Sequence, residues 1–292
     1  MFIRSIIPVC SQVMLLGIVL SFTCTSAVVA QDLISFDVPG ATVTAALGIN
    51  NRGQIVGLFR SSAHPSSGGF LYESGTFTVL DVPGATSTVA MGINERGQIV
   101  GYCSISDTSH GFLLDRGKFT TIDFPQAKWT FAHGFNNRGQ VVGIYRDTTD
   151  KDHAFLLDKG AFTTIDILDA ANTTPEGIND HGQIVGMYWY GDWATGHGFL
   201  LDKGTSTSID FPEASQTLAY RINNLGQIVG SYRTSSTGSQ DHGFLLDKGV
   251  FATIDVPGAT STFPWGIDDR GQIVGHYTSD NGITWHSFLV IP

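Results

Sequence analysis

Apolar residues along this chain come in short blocks separated by Gly, Asn, Asp, Pro and Ser, and the blocks repeat. One copy reads Thr88–Asn94, Gly97–Tyr102, His110–Leu114 and Lys118–Asp123. Each block is rich in β-branched and aromatic residues and bounded by turn formers, which predicts four short strands per copy. No stretch holds helical periodicity over ten residues, so almost no helix is expected. The second block always opens Gly-Gln-Ile/Val-Val-Gly, and its first glycine falls at Gly53, Gly97, Gly139, Gly182, Gly226 and Gly271. Those glycines are 44, 42, 43, 44 and 45 residues apart. Six units of four strands match the size of propeller blades.

The two ends predict closure. The last unit stops at His286–Pro292, without a fourth strand, while Leu33–Gly40 is an orphan copy of that strand and resembles Thr253–Gly258. Strand 33–38 completing the last blade would hide its free edge. The fold class expected is therefore all-β, a six-bladed β-propeller of four-stranded antiparallel blades closed by the N-terminal strand. Residues 1–30 carry a basic start, the apolar run Val13–Leu20 and small residues at Val28-Val29-Ala30. They read as a secretory signal peptide, leaving 31–292 as one domain. A secreted or periplasmic protein with no membrane span after cleavage is expected, acting as a monomer.

Composition narrows the partners. The leader holds one basic residue and no acidic one, leaving 15 basic against 26 acidic side chains, a net charge of −11. Such a surface repels phosphate backbones, so nucleic acid is not an expected partner. Cys103 is the lone cysteine beyond the leader, which excludes an intrachain disulfide there.

Turn chemistry accounts for most repeated polar residues. Asn-x-x-Gly between the first two strands, and Asp-Lys/Arg-Gly between the last two, suit tight hairpins with glycine at positive φ. Those turns share one face. The opposite face carries the links from second to third strand and from blade to blade, which are read as differing in every unit. All five tryptophans (Trp129, Trp189, Trp193, Trp265, Trp285) fall in those links or beside them. Loops on a rigid scaffold are where binding usually resides.

Two positions near the start of the first strand sharpen this. The first reads Leu47, Met91, His133, Glu176, Tyr220 and Trp265 around the ring. The next is glycine in every copy except Arg221. His133, Glu176, Tyr220, Arg221 and Trp265 therefore crowd one side of the channel mouth. They form either a mixed pocket for a polar ligand such as a glycan or a plug of mutually paired side chains. Trp129 and Trp189 join them as candidate ligand-binding residues.

A histidine opens the third strand in five units and an aspartate ends every fourth strand. A two-residue hairpin sets His110 opposite Asp123, His153 opposite Asp166, His197 opposite Asp210, His242 opposite Asp255 and, through closure, His286 opposite Asp37. A three-residue loop would turn the partners apart. With no recurring serine and five separate outward sites, these read as structural hydrogen bonds, not catalytic residues or metal ligands. Asp147, Asp150 and Asp152 lack the glycine turn and distal Glu of a calcium loop and read as a solvated acidic loop. No cofactor is expected.

His153-Ala154-Phe155, with the Gly-Ile-Asn-x-x-Gly-Gln-Ile-Val-Gly motif, resembles the HAF-type bacterial extracellular repeat family, across all six copies. The other copies read His-Gly-Phe, Gly-Gly-Phe or His-Ser-Phe. The resemblance implies a secreted or envelope-associated bacterial protein and supplies no catalytic residues. The function expected is a non-catalytic binding module recognising a carbohydrate or surface polymer through its variable-loop face. Alternatives are a propeller lyase or hydrolase acting through Glu176, His133, Tyr220 and Arg221, or a protein-interaction scaffold.

Overall fold

The structure, a computed structural model, describes residues 32–191, 195–234 and 240–292. The signal-peptide reading of 1–30 and Trp193 lie outside the described residues. Within them the chain forms six four-stranded antiparallel sheets and no helix. Blade 1 runs through Val43–Ile49, Ile55–Arg60, Gly68–Glu73 and Thr76–Leu80, with the first strand on the axis and the fourth outermost. Blades 2 to 5 repeat this order. Blade 6 holds Ser261–Ile267, Ile273–Thr278 and His286–Ile291, and takes its outer strand, Asp32–Phe36, from the start of the chain. Asp32 pairs with Ile291 and Phe36 with Ser287, so the ring is closed as the orphan strand predicts.

The repeated motif is explained by contacts that recur from blade to blade, although the sixth copy has Asp268 in place of the asparagine. In blade 1 the Asn50 carboxamide oxygen accepts the Arg52 and Gln54 N–H groups at 3.1 Å, holding the turn that Gly53 passes at φ 75°. The amide nitrogen of Asn50 donates to the Asn94 carbonyl of the next blade at 2.9 Å. Gln54 reaches out to Glu73 at 2.8 Å, joining the second strand to the turn after the third. The last glycine of Gly-Gln-Ile-Val-Gly faces a bulge in the first strand. At Gly57 a Cβ would overlap the Ala45 carbonyl, and every copy repeats that overlap. The motif's phenylalanine (Phe70, Phe112, Phe155, Phe199, Phe244, Phe288) is at most 1% exposed in each blade. Each contributes about 2 kcal/mol of burial.

The outer hairpins settle the His–Asp register. Arg116 and Gly117 have φ 47° and 78°, a two-residue turn with both central residues left-handed, and Asp115 pairs with Lys118. His Nδ1 then lies 3.0 Å from Asp123, 2.6 Å from Asp166, 2.8 Å from Asp210, 2.8 Å from Asp255 and 2.7 Å from Asp37 for His110, His153, His197, His242 and His286. Blade 1 has Gly68 at this position, and His64 of the preceding loop approaches Asp81 at 3.3 Å instead.

One expectation about the links needs correction. The blade-to-blade links do not differ in every unit: Asp81–Thr88 and Asp255–Thr262 are identical in sequence, and Asp37–Thr44 departs at one position. Their terminal threonine explains why. The Thr44, Thr88 and Thr262 hydroxyls accept the N–H of Val38, Val82 and Val256, which fixes the turn. Variation on that face resides mainly in the loops from second to third strand.

Candidate functional site

The axis is blocked by one side chain. Arg221 stands where the other blades carry Gly48, Gly92, Gly134, Gly177 and Gly266, and its guanidinium turns into the space they leave. It donates to the main-chain carbonyls of Met91 (2.5 Å), His133 (3.2 Å), Tyr220 (3.2 Å) and Glu176. Burial pulls its pKa down to about 10, which leaves it charged at neutral pH. The plug alternative thus describes Arg221, but its partners are carbonyls of four blades, with the Glu176 carboxylate nearby as a buried counter-charge.

His133, Glu176 and Tyr220 are likewise buried. His133 Nδ1 lies 3.3 Å from both the Glu176 carboxylate and the Pro175 carbonyl, and Glu176 Oε2 has no hydrogen bond. The Tyr220 hydroxyl pairs with Ser231 at 2.7 Å, and burial pushes its pKa up. These groups form the packed wall of the mouth. Trp189 is buried beside Met187 and Tyr220. Trp129 stacks on Phe131 at 4.6 Å under the Arg146 guanidinium, which itself forks onto Asp152.

An open cavity of about 410 Å³ lies on the other side of the same mouth, across blades 6, 1 and 2. Ala45, Leu47, Val89 and Met91 form its apolar floor and pack as one cluster with Leu58, Tyr102 and Trp265. Trp265, His276 and Trp285 of blade 6 make one wall, and Tyr102 and Arg60 lie on the other side. The cavity exists because the copies differ in volume. Where blades 3 and 6 carry Phe131 and Phe263, blades 1 and 2 carry Ala45 and Val89. Of the candidate ligand-binding residues, only Trp265 lines it, although Trp285 is one of the tryptophans placed on this face by sequence, and Leu47 and Met91 share the Trp265 repeat position. His276, Tyr102 and Arg60 carried no such mark of their own. The size difference at the Ala45 position is the sequence signal that points to them.

The cavity wall is built with some precision. Trp265 lies flat on Tyr220, ring centroids 4.1 Å apart and planes within 7°. Trp285 is held over the opening by the loop Asp280–Thr284. There the Asp280 carboxylate accepts the Ile283 and Thr284 N–H groups and the Thr284 hydroxyl, and Trp285 Nε1 donates to the Gly282 carbonyl. Those bonds lower the Asp280 pKa to about 2. Burial lowers that of His276 to about 3, so its ring is neutral. His276 Nδ1 and Trp265 Nε1 are both shut off from solvent and have no hydrogen-bond partner.

Charge is distributed unevenly between the two faces. Setting aside buried Arg221 and Glu176, the described residues place fourteen acidic and five basic side chains at the variable-loop end. The end with the tight turns has ten acidic and nine basic. The variable-loop end as a whole therefore carries a net −9, against −1 on the opposite face, while Arg60 is the one charged side chain among the cavity's lining residues. That opposite face has its own order. Asn51, Glu95, Asn137, Asp180, Asn224 and Asp269 ring the axis with amides and acids in alternation. Each main-chain N–H donates to the next blade's side chain at 2.7 or 2.8 Å, and the circle closes from Asp269 to Asn51.

Among the described residues no three His, Cys, Asp or Glu side chains are grouped to hold a metal ion. In the acidic loop Asp147 accepts the Thr149 and Lys151 N–H groups, Asp150 pairs with Lys128 and Asp152 with Arg146. No helix among the described residues is long and apolar enough to cross a membrane.

The closed ring and its one-sided cavity define a six-bladed β-propeller module. No protein-family model matches the chain, and no curated protein sequence matches it. Solved structures resemble it at the level of fold. TolB from Acinetobacter baumannii shares 13% identity at a TM-score of 0.59, over 81% of this chain and 63% of that one; this chain thus spans under two thirds of that protein's length. The β-propeller domain of the Trilobed protease from Pyrococcus furiosus shares 10% identity at 0.54, over 83% and 78%. A mutant of Aleuria aurantia lectin in complex with Fucα1-6GlcNAc shares 13% identity at 0.50, over 86% and 96%.

Proposed function

We propose that this propeller is a secreted, non-catalytic binding module of the HAF extracellular repeat type that recognises carbohydrate through its variable-loop face. The cavity between Trp265 and Trp285 carries the reading. Indole and phenol rings around a concave apolar floor are the surfaces on which the C–H face of a sugar ring packs, and Arg60 at the rim offers donors to its hydroxyls. The ring fold also carries a saccharide complex in the Aleuria aurantia lectin, a likeness that speaks to the scaffold alone.

A glycan-array screen of the purified protein beside Trp285→Ala tests this. Trp285 sits on a loop, so its removal spares the blade cores. Saccharide binding that falls at least about tenfold in the variant supports the cavity as the site. Binding unchanged in the variant moves the site elsewhere on the face, and no saccharide binding rejects the carbohydrate reading in favour of a protein-interaction scaffold.

A further inference from the structure

The rim of the cavity narrows the saccharide it takes. Resting on a carbohydrate-binding role for this face, we infer that the cavity selects a sugar bearing a single carboxylate, which Arg60 receives. The fold gives this kind of arginine a counter-ion in two other blades and omits it here.

Three blades end their second strand in arginine: Arg60, Arg146 and Arg233. Arg146 forks onto Asp152 through Nε and Nη2 at 2.7 and 2.8 Å, and Arg233 onto Asp241 at 3.1 and 2.8 Å. The matching position in blade 1 is Ser67. Its carbonyl accepts the Thr88 N–H at 3.0 Å, as that of Asp241 accepts the Thr262 N–H at 2.9 Å, so the two residues hold the same place in their blades. Arg60 Nε reaches only the Ser67 hydroxyl, at 3.4 Å, and no carboxylate pairs with Arg60 among the described residues. An arginine cannot shed its proton, so the missing anion must come from solvent or from a ligand.

That cation stands at the edge of an apolar cavity. Arg60 is the one charged side chain among the lining residues, beside a floor of Ala45, Leu47, Leu58, Val89 and Met91. Its charge is felt inside: burial and Glu176 raise the Tyr102 pKa, and Arg60 opposes them.

A uronic acid or related sugar acid matches both parts. Its carboxylate projects from the ring edge, leaving a C–H face to lie on the floor between Trp285 and Tyr102. The planar group fits the guanidinium fork as Asp152 and Asp241 do. The net −9 belongs to the variable-loop end as a whole and weighs against polyanions and dianionic phosphates, so one carboxylate meets Arg60 with the least repulsion.

The experiment titrates two sugar acids calorimetrically, cellobiouronate (glucuronosyl-glucose) and sialyllactose, each beside its methyl ester. Each acid is expected to bind at least about fivefold more tightly than its ester. Arg60→Met keeps the apolar stem and removes the charge. Ser67→Asp keeps Arg60 and gives it the counter-ion that blades 3 and 5 possess. Both variants are expected to melt with the parent, to bind the esters as it does, and to bind acid and ester equally.

Esters that bind as tightly as the acids overturn the inference and leave the carbohydrate reading standing. So does an acid preference that survives either substitution, or array hits confined to neutral saccharides. Failure of acids and esters alike, together with a blank array, removes both readings.

Discussion

The Arg221 guanidinium donates to the Met91 carbonyl at 2.5 Å, joining blade 5 to blade 2 across the axis. The same group reaches carbonyls of Glu176, His133 and Tyr220, so one side chain ties four blades at the centre of the ring. Arg221→Gly restores the residue found in the other five copies. It also leaves those carbonyls without their donor and the buried Glu176 carboxylate without its counter-charge. We expect a loss of about 3 kcal/mol in urea unfolding, despite the match to the repeat consensus. A variant as stable as the parent would show that the axial bonds contribute nothing net.

The amide–acid alternation on the opposite face makes a second prediction. Asn224 donates from its amide to Asp180 at 3.1 Å and to Asp269 at 2.9 Å. Asn224→Asp changes almost no volume but sets three carboxylates in a row. The new acid's pKa rises above its unfolded value, so the unfolded chain is the less protonated state near neutrality and the variant is destabilised there. We expect about 2 kcal/mol lost at pH 7, recovered as the pH falls to 4 and the added group protonates. Chemical denaturation at the two pH values measures both numbers.

His276 sets a pH dependence of its own. Its folded-state pKa is near 3 and its unfolded value 6.5, because burial disfavours the imidazolium. As the pH falls below 6.5 the unfolded chain binds the proton first. Stability is therefore full above 6.5 and declines toward 3, by about 1 kcal/mol per pH unit. Asp147 and Asp280, both near 2, lose their contributions only at lower pH. Between pH 6.5 and 4.5 the parent's unfolding free energy should therefore fall with acidification, and His276→Phe should flatten that slope.

Closure is tested at Phe36. Its ring stacks on Tyr72 of blade 1 at 5.1 Å and packs on the core between that blade and the closing strand. Phe36→Ala should cost about 2 to 3 kcal/mol. It should also release the first strand, read as proteolytic cleavage near the N-terminus well below the global melting temperature. Cleavage that tracks global unfolding would show that the strand is held by its backbone ladder alone.

The ring was legible because every blade solves the same local problem. Gly57, Asn50, Gln54 and Phe70 recur for contacts made within a blade or with its neighbour, and such contacts leave a period in the sequence. The His–Asp register followed from hairpin arithmetic once the turn length was known. His64 escaped notice because it reaches Asp81 from a loop that no other copy shares in sequence. The cavity was harder to read. It depends on the summed volumes of Ala45, Leu47, Val89 and Met91 of blades 1 and 2 against Trp265 of blade 6, which meets blade 1 only through closure of the ring. Conspicuous residue types drew attention to His133, Glu176 and Tyr220, whereas the opening was made by the small ones.

The pairing of His286 with Asp37 spans 249 residues of sequence. A ribosome therefore releases the first strand long before its partner exists, and blades 1 to 5 can assemble on their own local contacts while blade 6 waits. Through that interval the apolar segment around Phe36 is available to other chains, and once His286–Ile291 emerges its edge is available too until the first strand docks. Two molecules whose first strands are still undocked can satisfy each other by exchanging them, so the feature that seals the ring is also its most direct route to a strand-swapped dimer.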